Sequence, residues 1–192
     1  RQRIDIMQAR YERGEGEILI KGKTVMLGYY ENPDATAEVM EDGWFNSGDI
    51  GYMDNDGFLY ITGRSKNVIV TQNGKNIYPE EIEGLLGKVP EIAECMVYGK
   101  EVSGEKELII TAKVIPDYEA IEEIHGKDKK DPDVPFTEDE IYKIIWNQIK
   151  QVNRKLTNYK CVKKLEIKTD EFEKTSTMKI KRYAELQKDK KS

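Results

Sequence analysis

The residue types able to do chemistry fall in short polar segments. Gly43-Trp44-Phe45-Asn46-Ser47-Gly48-Asp49-Ile50-Gly51 carries a carboxylate, Asp49, directly after a glycine turn. Gly63-Arg64-Ser65-Lys66 offers a guanidinium, whose flat fork holds planar partners. Asn73-Gly74-Lys75-Asn76-Ile77-Tyr78-Pro79-Glu80-Glu81-Ile82-Glu83 contains Gly74, where a missing Cβ admits close approach to backbone. Lys174-Thr175-Ser176-Thr177-Met178-Lys179-Ile180-Lys181-Arg182 contains Lys179, an ammonium able to stabilise developing negative charge if something positions it. Each also has an ordinary reading. Asp49 could be a turn residue, Arg64 a surface charge, Lys66 a loop lysine, Gly74 a hairpin glycine and Lys179 one lysine in a basic run.

Two shorter motifs carry less. Gly22-Lys23-Thr24 lacks the preceding glycine of a phosphate loop, because position 17 is Glu17 and Ile18-Leu19-Ile20 reads as a strand. Asp54-Asn55-Asp56-Gly57 has its glycine too early for a calcium loop and no closing Glu, so it reads as a hairpin turn. Cys95, Cys161 and His125 are too scattered to ligate a metal, and the two thiols fit a reducing, cytoplasmic setting.

The elements that must position these residues follow from pattern. Glu17–Ile20 reads as a strand, with Thr24–Tyr30 continuing it. A short helix starts at Asn32 or Pro33, and strands surround Ile50–Met53 and Phe58–Ile61. Val68–Val70 is a strand before the Gln72–Lys75 turn. Pro79 opens a helix with Ile82, Leu85 and Leu86 on one face, and strands follow at Ile92–Tyr98 and Glu107–Ile115. Residues 117–135, charged and holding Gly126, Pro132 and Pro135, read as a loop or inserted flap. Thr137-Glu138-Asp139-Glu140 is a capping box before a helix with Ile141, Ile144, Ile145 and Ile149 at core spacing. A strand at Val162–Ile167, a polar stretch from Asp170 to Thr177 and a last helix from about Lys181 complete an α+β pattern from about residue 65 onward.

The four chemical segments, joined by Gly16-Glu17-Ile18-Leu19-Ile20-Lys21-Gly22 and Gly28-Tyr29-Tyr30, resemble the adenylate-forming (AMP-binding) superfamily in the same order and over nearly the whole chain. That superfamily joins a carboxylate to the α-phosphate of ATP and then passes the acyl group to a thiol. The resemblance implies a β-rich end of the large adenylation domain over residues 1–63, a hinge at 64–66 around Lys66, and a mobile α+β carboxyl-terminal domain over 67–192. It implies that Asp49 accepts hydrogen bonds from the ribose hydroxyls, and that Arg64 also reaches the ribose region. Ile61 packs beside the nucleotide or belongs to a strand core. Lys179 is implied to contact the acyl carboxylate and α-phosphate, and Gly74 and Lys75 to line the coenzyme A path. The family often has Gly before that lysine, where this chain has Met178. The Asn73–Glu83 stretch, with the ten-residue step from Arg64 to Gly74, looks most like bacterial long-chain fatty acyl-CoA synthetases.

The implied ligands are ATP, a fatty acid and coenzyme A, with Mg2+ held mainly by the large domain outside these residues. On this reading the 192 residues alone do not adenylate fatty acids. Two other readings stay open: an acyl-AMP ligase that loads a carrier protein, and a stand-alone module that binds nucleotide or a partner without catalysis. The polar start without Met suits an excised fragment with no secretion signal. Residues 150–192 carry a net charge of +8 against −5 for the whole. The basic tail lacks the interleaved aromatics of a single-strand nucleic-acid binder beyond Tyr159 and Tyr183, so nucleic acid is not an expected partner. No apolar run is long enough to span a membrane, which leaves peripheral contact open.

Overall fold

A computed structural model of the chain describes residues 4–6, 14–101, 108–129, 131 and 133–189. The chain divides into two units, Arg1–Val68 and Ile69–Ser192.

The first unit is a sheet built around one long strand. Its elements are β1 (Ile4–Ile6), β2 (Gly16–Ile20), α1 (Pro33–Val39), β3 (Met40–Glu41), β4 (Trp44–Met53) and β5 (Leu59–Arg64). Strand β4 pairs antiparallel with β2 along one side, and with β3 and then β5 along the other. Register shifts between Ile50 and Gly51, where a side chain would put Cβ 2.3 Å from the Tyr60 carbonyl oxygen. Only glycine tolerates so close a backbone approach. The Asp54–Gly57 turn is the expected hairpin, with the Asp54 carboxylate accepting from the Asp56 and Phe58 amides. Helix α1 begins as expected, since the Asn32 side chain accepts from the Ala35 amide and Pro33 fills the first turn.

The expected strand at Thr24–Tyr30 does not form. A strand needs a ladder partner, and here the Val25 amide turns back to the Gly22 carbonyl while the Tyr29 amide donates to the Thr36 hydroxyl. The apolar run that suggested a strand lies largely in the open, with Leu27 fully exposed.

The second unit begins with β6 (Ile69–Val70) and β7 (Asn76–Ile77), a small hairpin, and α2 (Pro79–Leu86). The strands β8 (Ile92–Lys100) and β9 (Ile109–Pro116), the helices α3 (Tyr118–His125) and α4 (Glu138–Asn153), β10 (Lys164–Ile167) and α5 (Arg182–Asp189) follow. The sheet order is β10-β9-β8, with β10 parallel to β9 and β8 antiparallel to it. Alternation splits the side chains between two faces. Val97, Ile110, Ala112 and Val114 join Ile82, Leu86, Ile145 and Ile149 in the main core. Met96 and Tyr98 turn the other way and pack with Phe172, Ile180 and Leu186. The second unit is therefore an α+β domain covered on both faces: α2, α3 and α4 on one side, the carboxyl-terminal segment on the other. The Glu107 end of the expected strand, Lys130, Pro132 and the last three residues of the basic tail lie outside the described residues.

The segment read as a loop or flap over 117–135 is helical in its first part. Asp117 caps α3 by accepting from the Ala120 amide, and Ile121 is buried in the main core. The single-residue burial and surrounding charges hide this helix from a periodicity search. Behind it, buried Glu91 accepts from the Gln148 amide at 2.7 Å and meets the His125 ring at 2.9 Å, tying α3 and α4 to the start of β8. The capping box of α4 is complete: Thr137 Oγ1 accepts from the Glu140 amide, and the Glu140 carboxylate accepts from the Thr137 amide and hydroxyl.

Two predictions follow from this packing. Ile145→Ala, at a position with no exposure, lowers unfolding stability by about 2–5 kcal/mol in chemical denaturation, and a loss under about 1 kcal/mol would contradict the core assignment. Hydrogen bonds from the Thr137 backbone and side chain hold the Glu140 carboxyl below its ordinary value. Its contribution is therefore present above the unfolded carboxyl's titration and is lost as pH falls through the folded one. Glu140→Gln accordingly destabilises at neutral pH and becomes silent at acid pH; a pH-independent effect would contradict the charged cap.

Candidate functional site

The first unit carries Asp49, Arg64, Ile61 and Lys66. Strands β4 and β5 place Asp49 directly opposite Arg64 in register. Their side chains meet as an ion pair, Arg64 Nε to Asp49 Oδ1 at 2.8 Å. The carboxylate is the more shielded partner, at 24% exposure against 53% for the arginine. So open a pair contributes under about 1 kcal/mol to stability, which leaves it free to exchange partners. The backbone before Asp49 is pinned. Asn46 accepts from the Gly48 amide at 2.9 Å, Ser47 Oγ accepts from the Asp49 amide at 3.1 Å, and the Ser47 hydroxyl donates to the Ile18 carbonyl of β2 at 2.8 Å. From the far side, the Ser65 hydroxyl donates to the Gly48 carbonyl at 3.2 Å. Asn46, Ser47 and Ser65 thus aim the carboxylate. For Asn46 and Ser47 the signal in the sequence is the Asn-Ser-Gly-Asp run itself, since such side chains bond backbone two residues on.

Ile61 lies opposite Gly51 on β5 and is 64% exposed. Among the described residues it is an apolar side chain presented outward. Lys66 occupies a single 3₁₀ turn, Ser65–Asn67, and is exposed.

The second unit carries Gly74, Lys75 and Lys179, on separate hairpins. Gly74 has φ of 72° in the turn joining β6 and β7, where its amide donates to the Thr71 carbonyl and the Thr71 amide donates to the Lys75 carbonyl. A Cβ at Gly74 would meet nothing within 4 Å, so the turn's left-handed backbone, not crowding, calls for glycine. Lys75 Nζ stands 4.6 Å from the centroid of the Tyr159 ring. Beneath them is a cleft of about 130 Å³ that also receives Ile69, Leu108 and Lys163. Sequence reasoning passed over Tyr159 and Lys163 because they are far along the chain from Lys75.

Lys179 lies on the second arm of a tight hairpin. Lys174 and Ile180 bridge across it, the Thr175 amide donates to the Lys179 carbonyl at 2.8 Å, and the Met178 amide closes the turn onto the Thr175 carbonyl. Met178 takes φ of 61°. The left-handed backbone that glycine adopts freely is thus kept here by a larger residue, at a cost of about 1 kcal/mol. The Lys179 side chain is exposed and has no hydrogen-bond or ion-pair partner among the described residues. Its neighbours are tied down: Lys174 to Glu94 at 2.5 Å, Lys181 to Glu173 at 2.8 Å, and Arg182 to Glu83.

A larger cleft, about 460 Å³, gathers Lys100, Lys113, Lys168 and Lys188. Acidic partners stand among them. Glu166 meets Lys100 at 2.6 Å and the Tyr98 hydroxyl at 2.7 Å, and Glu185 meets Lys168 at 3.8 Å. Burial alone would raise the Glu166 carboxyl; the bonds from Lys100 and Tyr98 outweigh it and hold it low, as an ionised partner. Burial pushes the Cys95 thiol up to about 12, so it stays protonated and is no nucleophile at neutral pH. Among the described residues no group of three or more His, Cys, Asp or Glu could hold a metal ion, and no helix is long and apolar enough to cross a membrane.

Residues 81–179 match the AMP-binding enzyme C-terminal domain. The chain is 36% identical over 177 residues to long-chain-fatty-acid–CoA ligase FadD15 of Mycobacterium tuberculosis, covering 88% of this chain and 29% of that protein. It is 47% identical over 103 residues to indoleacetate–CoA ligase of Aromatoleum aromaticum, covering 53% of this chain and 19% of that protein. The chain thus spans less than a third of the length of these curated relatives. Among solved structures, o-succinylbenzoate CoA synthetase (MenE) of Bacillus subtilis, in complex with its acyl-adenylate intermediate, superposes with a TM-score of 0.68 at 27% identity over 94% of this chain and 33% of that one. The sequence motifs, the α+β second unit and these likenesses lead to one family: the chain belongs to the adenylate-forming enzymes and carries their AMP-binding C-terminal domain.

Proposed function

We propose that these residues are the carboxyl-terminal part of an ATP-dependent acyl-CoA ligase that activates a fatty acid as acyl-AMP and transfers it to coenzyme A. The observation that carries the reading is Lys179. Among the described residues it is an unpaired, exposed ammonium on a hairpin whose backbone is hydrogen-bonded on both arms. A cation held this way, and not neutralised by a neighbour, suits a site where negative charge builds on transferred phosphate oxygens.

In the first half-reaction the fatty acid carboxylate attacks the α-phosphate of ATP, and pyrophosphate leaves with the displaced electron pair. Lys179 stabilises the charge on the acyl carboxylate and α-phosphate oxygens. Asp49 accepts the ribose hydroxyls, Arg64 pairs with Asp49 while reaching the same sugar, and Ile61 offers an apolar contact to the nucleotide. The pinned Asn46–Asp49 backbone fits that task, since a carboxylate that must meet two hydroxyls at once gains from being fixed beforehand. In the second half-reaction the thiol of coenzyme A attacks the acyl carbonyl and AMP leaves. Gly74 and Lys75 line the approach of the pantetheine arm, and the open space at Gly74 supports this. Lys66 is the hinge about which residues 67–192 turn between the two steps, with the exposed 3₁₀ turn absorbing the change in backbone angles. Mg2+ chemistry belongs to residues outside this chain's described set.

The fatty acid assignment rests on breadth of likeness, because the match to the long-chain ligase runs through both units. The aromatic-acid ligase matches at higher identity over fewer residues. An acceptor with the same pantetheine arm on a carrier protein would use Gly74 equally well, and a coenzyme-release assay separates the two.

In the intact enzyme, Lys179→Ala lowers acyl-AMP formation by about 10²–10³-fold and leaves transfer from supplied acyl-AMP intact. Equal loss of both steps, measured by pyrophosphate release and thioester formation, would contradict the role. Asp49→Ala raises the KM for ATP by about ten-fold or more without altering the fatty acid KM; an unchanged ATP KM would remove Asp49 from the nucleotide site.

A further inference from the structure

Lys179 can act only if something fixes where it stands on the second unit, and its own side chain anchors nothing. The hairpin around it is internally ordered. The Lys181 amide donates to the Glu173 carbonyl at 2.7 Å, and the Lys179 amide donates to Thr175 Oγ1 at 3.2 Å. Internal order alone would let the hairpin swing as one piece. Three ties hold it to the domain. Ile180 packs with Met96, Tyr98 and Phe172. Lys174 reaches Glu94. Arg182 reaches β8 and α2 together: Nη1 donates to the Val97 carbonyl at 2.9 Å, and Nη2 pairs with Glu83.

The third tie differs in kind from the others. Strand β8 is an edge of its sheet, so the outward N–H and C=O of Val97 have no neighbouring strand. The Glu83 carboxylate accepts from that N–H at 2.6 Å, and Arg182 donates to that C=O. The ion pair therefore closes a ring with one residue of the sheet edge. Its members are largely shielded, at 22% exposure for Arg182 and 17% for Glu83. Lysine could not replace the arginine, because a point charge cannot span a carbonyl and a carboxylate as a planar fork does. Burial pushes the Glu83 carboxyl up, and Arg182 and the Val97 amide only partly pull it back.

We propose that Arg182 is a positioning residue for adenylation, its guanidinium closed on Val97 and Glu83 so as to set the place of Lys179. This rests on the reading of Lys179 given above. Only Ile180 and Lys181 stand between Lys179 and Arg182, so freeing Arg182 loosens the backbone at Lys179. A shift of about 1 Å at a reacting group can cost about 10²-fold in rate.

Hydrogen exchange on the 192-residue chain tests the tie without catalysis. Arg182→Ala speeds exchange at the amides of Thr175, Met178 and Lys181, while Ala112 and Val114 in the centre of the sheet keep their protection. In the intact enzyme, Arg182→Ala slows adenylation by about 10²-fold and leaves acyl transfer from supplied acyl-AMP within about two-fold. In a Lys179→Ala background it adds no further loss. Unchanged hairpin exchange, equal loss in both half-reactions, or a multiplied loss in the double variant would each overturn the inference. If Arg182→Ala does not fold, Arg182→Lys serves instead: a partial loss confined to adenylation supports the tie, and full adenylation overturns it. Full adenylation by Lys179→Ala would sink the functional reading and this inference with it. A crippled Lys179→Ala beside an unaffected Arg182→Ala would sink only the inference.

Discussion

A three-stranded sheet has two edges, and the second unit closes one of them at Val97 with an ion pair in place of a strand. Glu83 comes from α2, immediately before the sheet, and Arg182 from the first turn of α5, after it. Their meeting on one residue joins the beginning and end of the domain. It also satisfies backbone groups that would otherwise invite pairing with another chain. The segment that this closure pins leads directly into the hairpin of Lys179. The same interaction thus serves stability at the sheet edge and position at the site.

The first unit uses a different device. Strands β4 and β5 are joined by a turn whose Asp54 and Gly57 fix the register of the pairs beside it, from Met53 with Leu59 to Gly51 with Ile61. The bulge between Ile50 and Gly51, where β4 passes close under the Tyr60 carbonyl, then shifts that register by one residue and brings Arg64 opposite Asp49. A turn and a bulge together therefore set a contact fifteen positions apart along the chain. The ion pair is exposed enough to trade partners, which suits the sugar-binding role proposed for this carboxylate and guanidinium. The second unit instead uses a shielded pair for a contact that must hold.

Much of this was legible from local chemistry. The capping box at Thr137–Glu140, the turn at Asp54–Gly57 and the helix opened by Pro79 depend on neighbours within a few residues, and the residue types specify them directly. Helix α3 was missed because only Ile121 enters the core, and an amphipathic pattern needs more than one buried position to be seen. Thr24–Tyr30 was misread because apolar runs predict strands only where a partner strand exists. The Arg182 tie joins positions 99 apart, and no spacing rule reaches that far. The motif order pointed to Asp49 and Arg64, whereas Ser65, which holds the backbone before Asp49 from 17 positions away, became visible only as a hydrogen bond to the Gly48 carbonyl.

The central claim is that a positive charge at position 179 is what adenylation requires. Chemical replacement tests it most directly: Lys179→Cys in the intact enzyme, alkylated either with bromoethylamine to restore an ammonium or with iodoacetamide to leave a neutral amide. Cys95 and Cys161 are first replaced by serine so that position 179 of these residues carries the thiol to be alkylated. The account predicts that the ammonium-bearing form regains ATP–pyrophosphate exchange and the amide-bearing form does not. Equal exchange by the two forms would contradict it.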